Sequence, residues 1–79
     1  MWFGALRVAI YTNDHRPPHV HVLGQGHEVV FTLNCPTGPI TLRENYGFSR
    51  RDLAKMQERL QSDLTALCSA WERHHGTIR

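Results

Sequence analysis

Residues 13–22 read Asn-Asp-His-Arg-Pro-Pro-His-Val-His-Val and hold three of the chain's six histidines, with an acid, an arginine and two adjacent prolines. Such a density of titratable groups admits several chemistries. On an extended segment His19 and His21 point to one side, so their rings can converge on a cation, with His15 or Asp14 swinging in from the loop. Imidazole suits zinc, copper or nickel. A structural zinc site wants four fixed ligands, and no cysteine pair is placed to complete it.

The same histidines are candidate catalytic residues. Free imidazole titrates near neutral pH, so His19 and His21, with His15 nearby, can serve as general base and acid. Arg16, Arg50 or Arg51 would then stabilise phosphate charge, as in a small metal-independent ribonuclease. No set of nucleophile, base and orienting group is readable from the sequence. The third chemistry is recognition: a binding surface made of His19, His21 and Arg16 with Arg43, Arg50 and Arg51. The bland alternative is a strand whose wet face carries histidine.

The arginines have their own signal. Arg50 and Arg51 fall in the first turn of a helix, where the helix dipole disfavours cations but exposed backbone N–H groups attract anions. Such a cluster can grip phosphate or an acidic patch on a partner. It also reads as a solvated helix start, offset by Glu44 and Asp52.

The elements that position these groups follow from periodicity. Alternating apolar residues predict strands over about 7–12, 19–23, 27–33 and 39–43. Pro17 and Pro18 stiffen the loop that feeds the second strand. Gly24-Gln25-Gly26 reads as a hairpin turn, and Pro39 puts the fourth strand at an edge. Residues 34–39, Asn-Cys-Pro-Thr-Gly-Pro, form a turn cluster, and 44–47 a connection. Ser49 is a helix N-cap with Asp52 three residues on. From there Leu53, Met56, Leu60, Leu64, Leu67 and Trp71 recur every three or four residues. The expectation is one helix of about 50–74, stopped at Gly76.

The predicted fold is therefore α+β: a single domain over 1–79, with a small antiparallel sheet of three or four strands covered on one face by one long C-terminal helix. Val20 and Val22 should meet the helix, and His19 and His21 the opposite, wetter face. Phe48 should staple the helix start near Leu53. Asn13 and Asp14 should tie the loop, and His74 and His75 should complement the helix end.

Bulk properties narrow the field. A chain of 79 residues buries only about 60% of its unfolded surface, so a partner or a second copy can help it. With 41% hydrophobic and 20% charged residues the composition is that of a folded domain, and a net charge of +2 permits nucleic acid without arguing for it. Cys35 and Cys68 read as free thiols in a reducing compartment. The start, MWFGALRVAIY, lacks the marks of a signal peptide, and no apolar run spans a bilayer. The expectation is a cytoplasmic protein with no membrane partner and no cofactor.

The segment YTNDHRPPHVHV, followed by GFSRRDLAKMQERL and LCSAWERHHG, resembles a small bacterial family of unknown function numbered 4160. The motif residues match at Asn13, Pro17, Pro18, His19 and His21, and at Gly47, Phe48, Ser49 and Trp71. The resemblance runs from about Arg7 to Gly76; MWFGAL and residues 35–39 depart from it. It implies no settled activity. It does imply genes arranged like toxin–antitoxin modules, often beside a second small family numbered 2442. The function expected is an interaction module, one half of a toxin–antitoxin-like or defence-related pair in a bacterium or phage. It would bind a protein encoded by a neighbouring gene, or a second copy as a homodimer. A ribonuclease toxin using His19 and His21, or a metal-binding regulator, stands as the alternative.

Overall fold

The computed structural model describes residues 2–11, 13 and 15–75, without the side chains of Trp2 and Phe3. Thr12, Asp14 and the Gly76 helix stop lie outside the described residues. Five antiparallel strands form one sheet in chain order: β1 (Trp2–Phe3), β2 (Leu6–Ala9), β3 (His19–Gly24), β4 (His27–Thr32) and β5 (Thr41–Tyr46). Two helices follow, α1 (Arg50–Ser62) and α2 (Leu64–His75). The class is α+β as expected. The four anticipated strands are β2 to β5, and the two-residue β1 adds an edge.

The β3–β4 hairpin sets the register. Gln25 and Gly26 both adopt positive φ, 54° and 76°, which is the signature of a two-residue type I′ turn. Pairing then runs from Gly24↔His27 to His19↔Thr32. Alternation sends Val20, Val22, Val29 and Phe31 to one face, where each is fully buried with Leu33, Ile40, Met56 and Leu60. At roughly 1.5–3 kcal/mol for each fully buried large apolar side chain, this layer is the main source of stability.

The helix differs from expectation. One long helix was predicted, but the backbone breaks at Asp63, whose φ of −103° and ψ of 12° leave the α region. Asp63 N–H donates to the Leu60 carbonyl at 3.0 Å, ending α1, and the Asp63 carbonyl accepts from Leu67 N–H at 3.0 Å, starting α2. The cause is local. Ser62 Oγ donates to the Arg59 carbonyl at 2.7 Å, and Asp63 accepts from Arg59 Nε at 3.2 Å. Short polar side chains that bond the backbone compete with the helical ladder and bend it. The apolar stripe crosses the break intact, because Leu60 and Leu64 are both buried.

Strand limits differ too. β5 starts at Thr41 and continues through Tyr46, which pairs with Glu28, so 44–46 is strand where a connection was expected. Pro39 stays outside the sheet; its carbonyl accepts from Asn34 Nδ2 at 2.8 Å. Proline lacks the N–H a ladder needs. Cys35 and Cys68 are not free thiols: they form a disulfide with Cα atoms 5.9 Å apart. Spacing along the chain, 33 residues, could not reveal it, because the loop of residues 34–39 meets α2 only in the folded chain. Among the described residues no helix is long and apolar enough to cross a membrane.

Candidate functional site

His19 opens β3. Its ring is buried, with 6% exposure, and its Nδ1 lies 2.8 Å from the Pro17 carbonyl. A carbonyl only accepts, so Nδ1 carries the proton in this bond. The expected wetter face therefore does not hold for His19. Trp71 of α2 lies against it with ring centroids 5.3 Å apart, closing off solvent at that end of the strand.

His21 sits two residues further on the same face, its ring 5.3 Å from that of His19. Its cross-strand neighbours are Ala9 and Val30, both buried. Its Nδ1 is 2.9 Å from Glu28 Oε2, and the Tyr11 ring lies 4.6 Å away. Glu28 pairs with Leu23, so it is the diagonal neighbour of His21, within reach of a long side chain. A carboxylate on one imidazole nitrogen fixes the ring's orientation and tautomer, an arrangement common to ligand and catalytic histidines.

The C-terminal end of α2 completes the cluster. His75 stacks on Trp71 with centroids 3.7 Å apart and planes 11° from parallel. Its Nδ1 lies 3.1 Å from the Trp71 carbonyl and its Nε2 3.0 Å from the Tyr11 carbonyl. The expected role, complementing the helix end, is met by the first contact. The second joins α2 to the segment leading from β2 into the proline loop, a link across 64 residues of sequence. Trp71 is fully buried, and its Nε1 finds no acceptor among the described residues.

The sequence-predicted site residues are only partly brought together. His19 and His21 share the cluster. His15 and Arg16 are exposed on the loop before it, and the Arg16–Pro17 bond is cis. Arg50 and Arg51 lie at the other end of the sheet. β5 delivers the chain there beside the hairpin: Gly47, with φ 109°, lies against the His27 ring, which is 5.3 Å from that of Phe48. The length of β3, roughly 17 Å, separates that end from the prolines. Arg43 is exposed midway along β5, beside the register shift opposite Val30 and Phe31. The expected surface joining the proline loop to Arg50 and Arg51 is thus split. Among the described residues no three His, Cys, Asp or Glu side chains converge as a metal would require.

Residues not anticipated are Tyr11, Glu28, Trp71 and His75 around the histidines, and Cys35 with Cys68. Glu28 was within reach, since a two-residue turn fixes the register that puts it beside His21. The others come from helix-to-loop contacts that no local pattern encodes.

β5 carries the other notable geometry. It is one edge of the sheet, and all six of its residues are exposed, Leu42 at 50% and Tyr46 at 60%. Tyr46 O–H donates to Glu44 Oε2 at 2.8 Å. That hydrogen bond, then the charge of Glu44, raises the Tyr46 hydroxyl above its ordinary value of 10.0.

These features define a class: a small antiparallel sheet with two helices, a part-buried histidine–aromatic cluster and an exposed edge strand. The chain belongs to the family described as Domain of unknown function (DUF4160), which matches residues 6–72. No curated protein and no solved structure matches it.

Proposed function

We propose that the domain is a protein-binding module, one component of a toxin–antitoxin-like or defence-related pair, working in the cytoplasm of a bacterium or its phage. The observation that carries this reading is the open β5 edge. An edge strand with one side paired to β4 and every residue exposed, including a large aliphatic and an aromatic one, is a template for a partner strand. Main-chain hydrogen bonds supply affinity, and side-chain contacts at Leu42, Arg43 and Tyr46 supply selectivity. The gene pairing implied by the resemblance names the source of the partner, the product of a neighbouring gene. The prediction is that the pair co-purifies in the presence of a chelator. Leu42→Lys/Tyr46→Lys, both on exposed positions, should weaken co-purification at least about tenfold, the equivalent of one 1.4 kcal/mol step, with circular dichroism unchanged. Undiminished capture by that variant removes β5 as the interface.

A second reading rests on the His21–Glu28 pair. Glu28 orients His21 as a general base would be oriented, with His19 beside it, so a small ribonuclease toxin remains a coherent alternative. Purified protein should then cleave RNA, and Glu28→Gln should lower the rate while leaving partner capture intact. Equal cleavage by wild type and His21→Ala removes the enzyme.

A further inference from the structure

The Cys35–Cys68 bond ties the loop between β4 and β5 to α2, at the rim of a core cluster that Leu33 and Ile40 share with Leu64 and Leu67. Cys35 lies in the tight loop between β4 and β5, where Asn34 and Gly38 both take positive φ, 54° and 78°. Cys68 is in the middle of α2, which begins afresh after the break at Asp63. The bond borders an open groove of about 630 Å³ lined by both cysteines, Pro17, Pro18, Pro36 and Glu72 among others. The two sulfurs differ in access. Cys35 is partly exposed, whereas Cys68 is 7% exposed and belongs to the core. The groove also touches the prolines that lead into His19, and α2 carries Trp71 and His75, the cover of the histidine cluster.

We infer that Cys35–Cys68 is a thiol-exchange site, taking a cellular dithiol in the groove and, when reduced, releasing α2 from the loop and uncovering the histidine cluster. The chemistry balances. A thiolate from the reductant attacks Cys35 Sγ, the more accessible sulfur; the Cys35–Cys68 bond breaks and Cys68 leaves as a thiolate that takes a proton. The second thiol of the reductant then attacks the mixed disulfide at its own sulfur, freeing Cys35 and leaving the reductant oxidised. The protein gains two electrons and two protons, and the dithiol loses them. Glu72, on the groove wall, disfavours reagents that carry carboxylates, so a dithiol with no charge besides its attacking thiolate is the better reagent. A reducing cytoplasm supplies such thiols, and there the bond acts as a reversible clasp. α2 is suited to local release because its N-terminal end is an existing break and the disulfide is its covalent tie to the loop; the Trp71 and His75 contacts are what must then give way.

The test uses the full chain under native conditions. Oxidised protein is treated with dithiothreitol without denaturant, free thiols are alkylated, and intact mass and hydrogen exchange are measured. Both cysteines should be alkylated, exchange should rise in residues 64–75, and amides of β3 and β4 should stay protected. A bond that resists dithiothreitol until denaturant is added overturns the inference. So does reduction that exposes β3 and β4 together with α2, since the bond is then a global staple. Attack geometry has its own readout: with a neutral disulfide reagent, Cys35 in C68S should react roughly tenfold faster than Cys68 in C35S, because reactivity follows access as well as thiolate fraction. Equal rates, or a faster Cys68, overturn the assignment of the attacked sulfur. If C35S/C68S does not fold at all, local release is ruled out as well.

Discussion

The two ends of the sheet are held by different physics. At the hairpin end, the joints are local. Gln25-Gly26 makes the turn, Gly47 lets the chain leave β5, and Ser49 caps α1 by accepting from Asp52 N–H at 3.1 Å. Asn45 brackets Phe48 from three residues away, donating to its carbonyl at 2.9 Å and accepting its N–H at 3.1 Å. At the proline end, the main ties span the chain: Cys35 to Cys68, His19 to Trp71, His75 to Tyr11. Gln61 adds one more, with Oε1 accepting from Ile40 N–H at 2.9 Å. Local joints form early and are cheap in chain entropy. Distant ties need the whole fold first. The candidate site sits where the ties are distant.

The largest expected effect is at the proline end. Trp71→Ala removes a fully buried ring and should cost about 3–5 kcal/mol in urea unfolding. It should also unseat His19 and His75. Trp71→Phe is the sharper probe. It keeps most of the packing and deletes the Nε1–H, which has no acceptor among the described residues. Phe should therefore lose much less than Ala. Equal losses would mean that the seating of His19 and His75 depends on the indole itself and not on ring burial alone.

Gly47→Ala tests the hairpin end. A Cβ there would clash with the His27 ring, on a backbone with φ 109°. Strain of this kind costs about 1–3 kcal/mol. His27 is exposed and can rotate away, so a double-mutant cycle with His27→Ala should recover only a minor part of the loss. Full recovery would assign the defect to the ring contact and not to φ.

Ser49→Ala is smaller. Loss of the cap should cost about 1 kcal/mol, read as a lower urea midpoint with unchanged slope. The effect should leave thiol exchange at Cys35 untouched, because the cap and the disulfide are at opposite ends. A cap variant that also accelerates exchange would show that the ends are coupled.

This division explains what could be read from the sequence. The strands, the Val20/Val22 core face, the apolar helix stripe and the Ser49 cap follow from period and capping, and all are present. The two-residue β1 is too short to show a period. The break at Asp63 is written in Ser62-Asp63, but a continuous apolar stripe overrides that signal on paper. His19 was placed on the correct face and the wrong side of solvent, since alternation gives direction and says nothing of what α2 later covers. The disulfide and the Trp71–His75 stack depend on tertiary approach and had no local sign beyond the residues themselves.

The smallest effect concerns β5, the edge that belongs to neither end. Tyr46 titrates above its ordinary 10.0 because its hydroxyl donates to Glu44 and feels that carboxylate's charge. The raised value means that folding favours the neutral phenol. This contribution is fully present below the unfolded value and is lost as pH rises through the folded one. Because Tyr46 is solvent-exposed, screening keeps it slight. Glu44→Gln should lower the Tyr46 titration toward 10, followed by phenolate absorbance or by NMR. A partner strand seated on β5 should move it the other way, since burying the phenol penalises its charged form. If the complex leaves the Tyr46 titration where it is in the free domain, the partner does not sit on this edge, and the interaction surface must be sought on the exposed arginines instead.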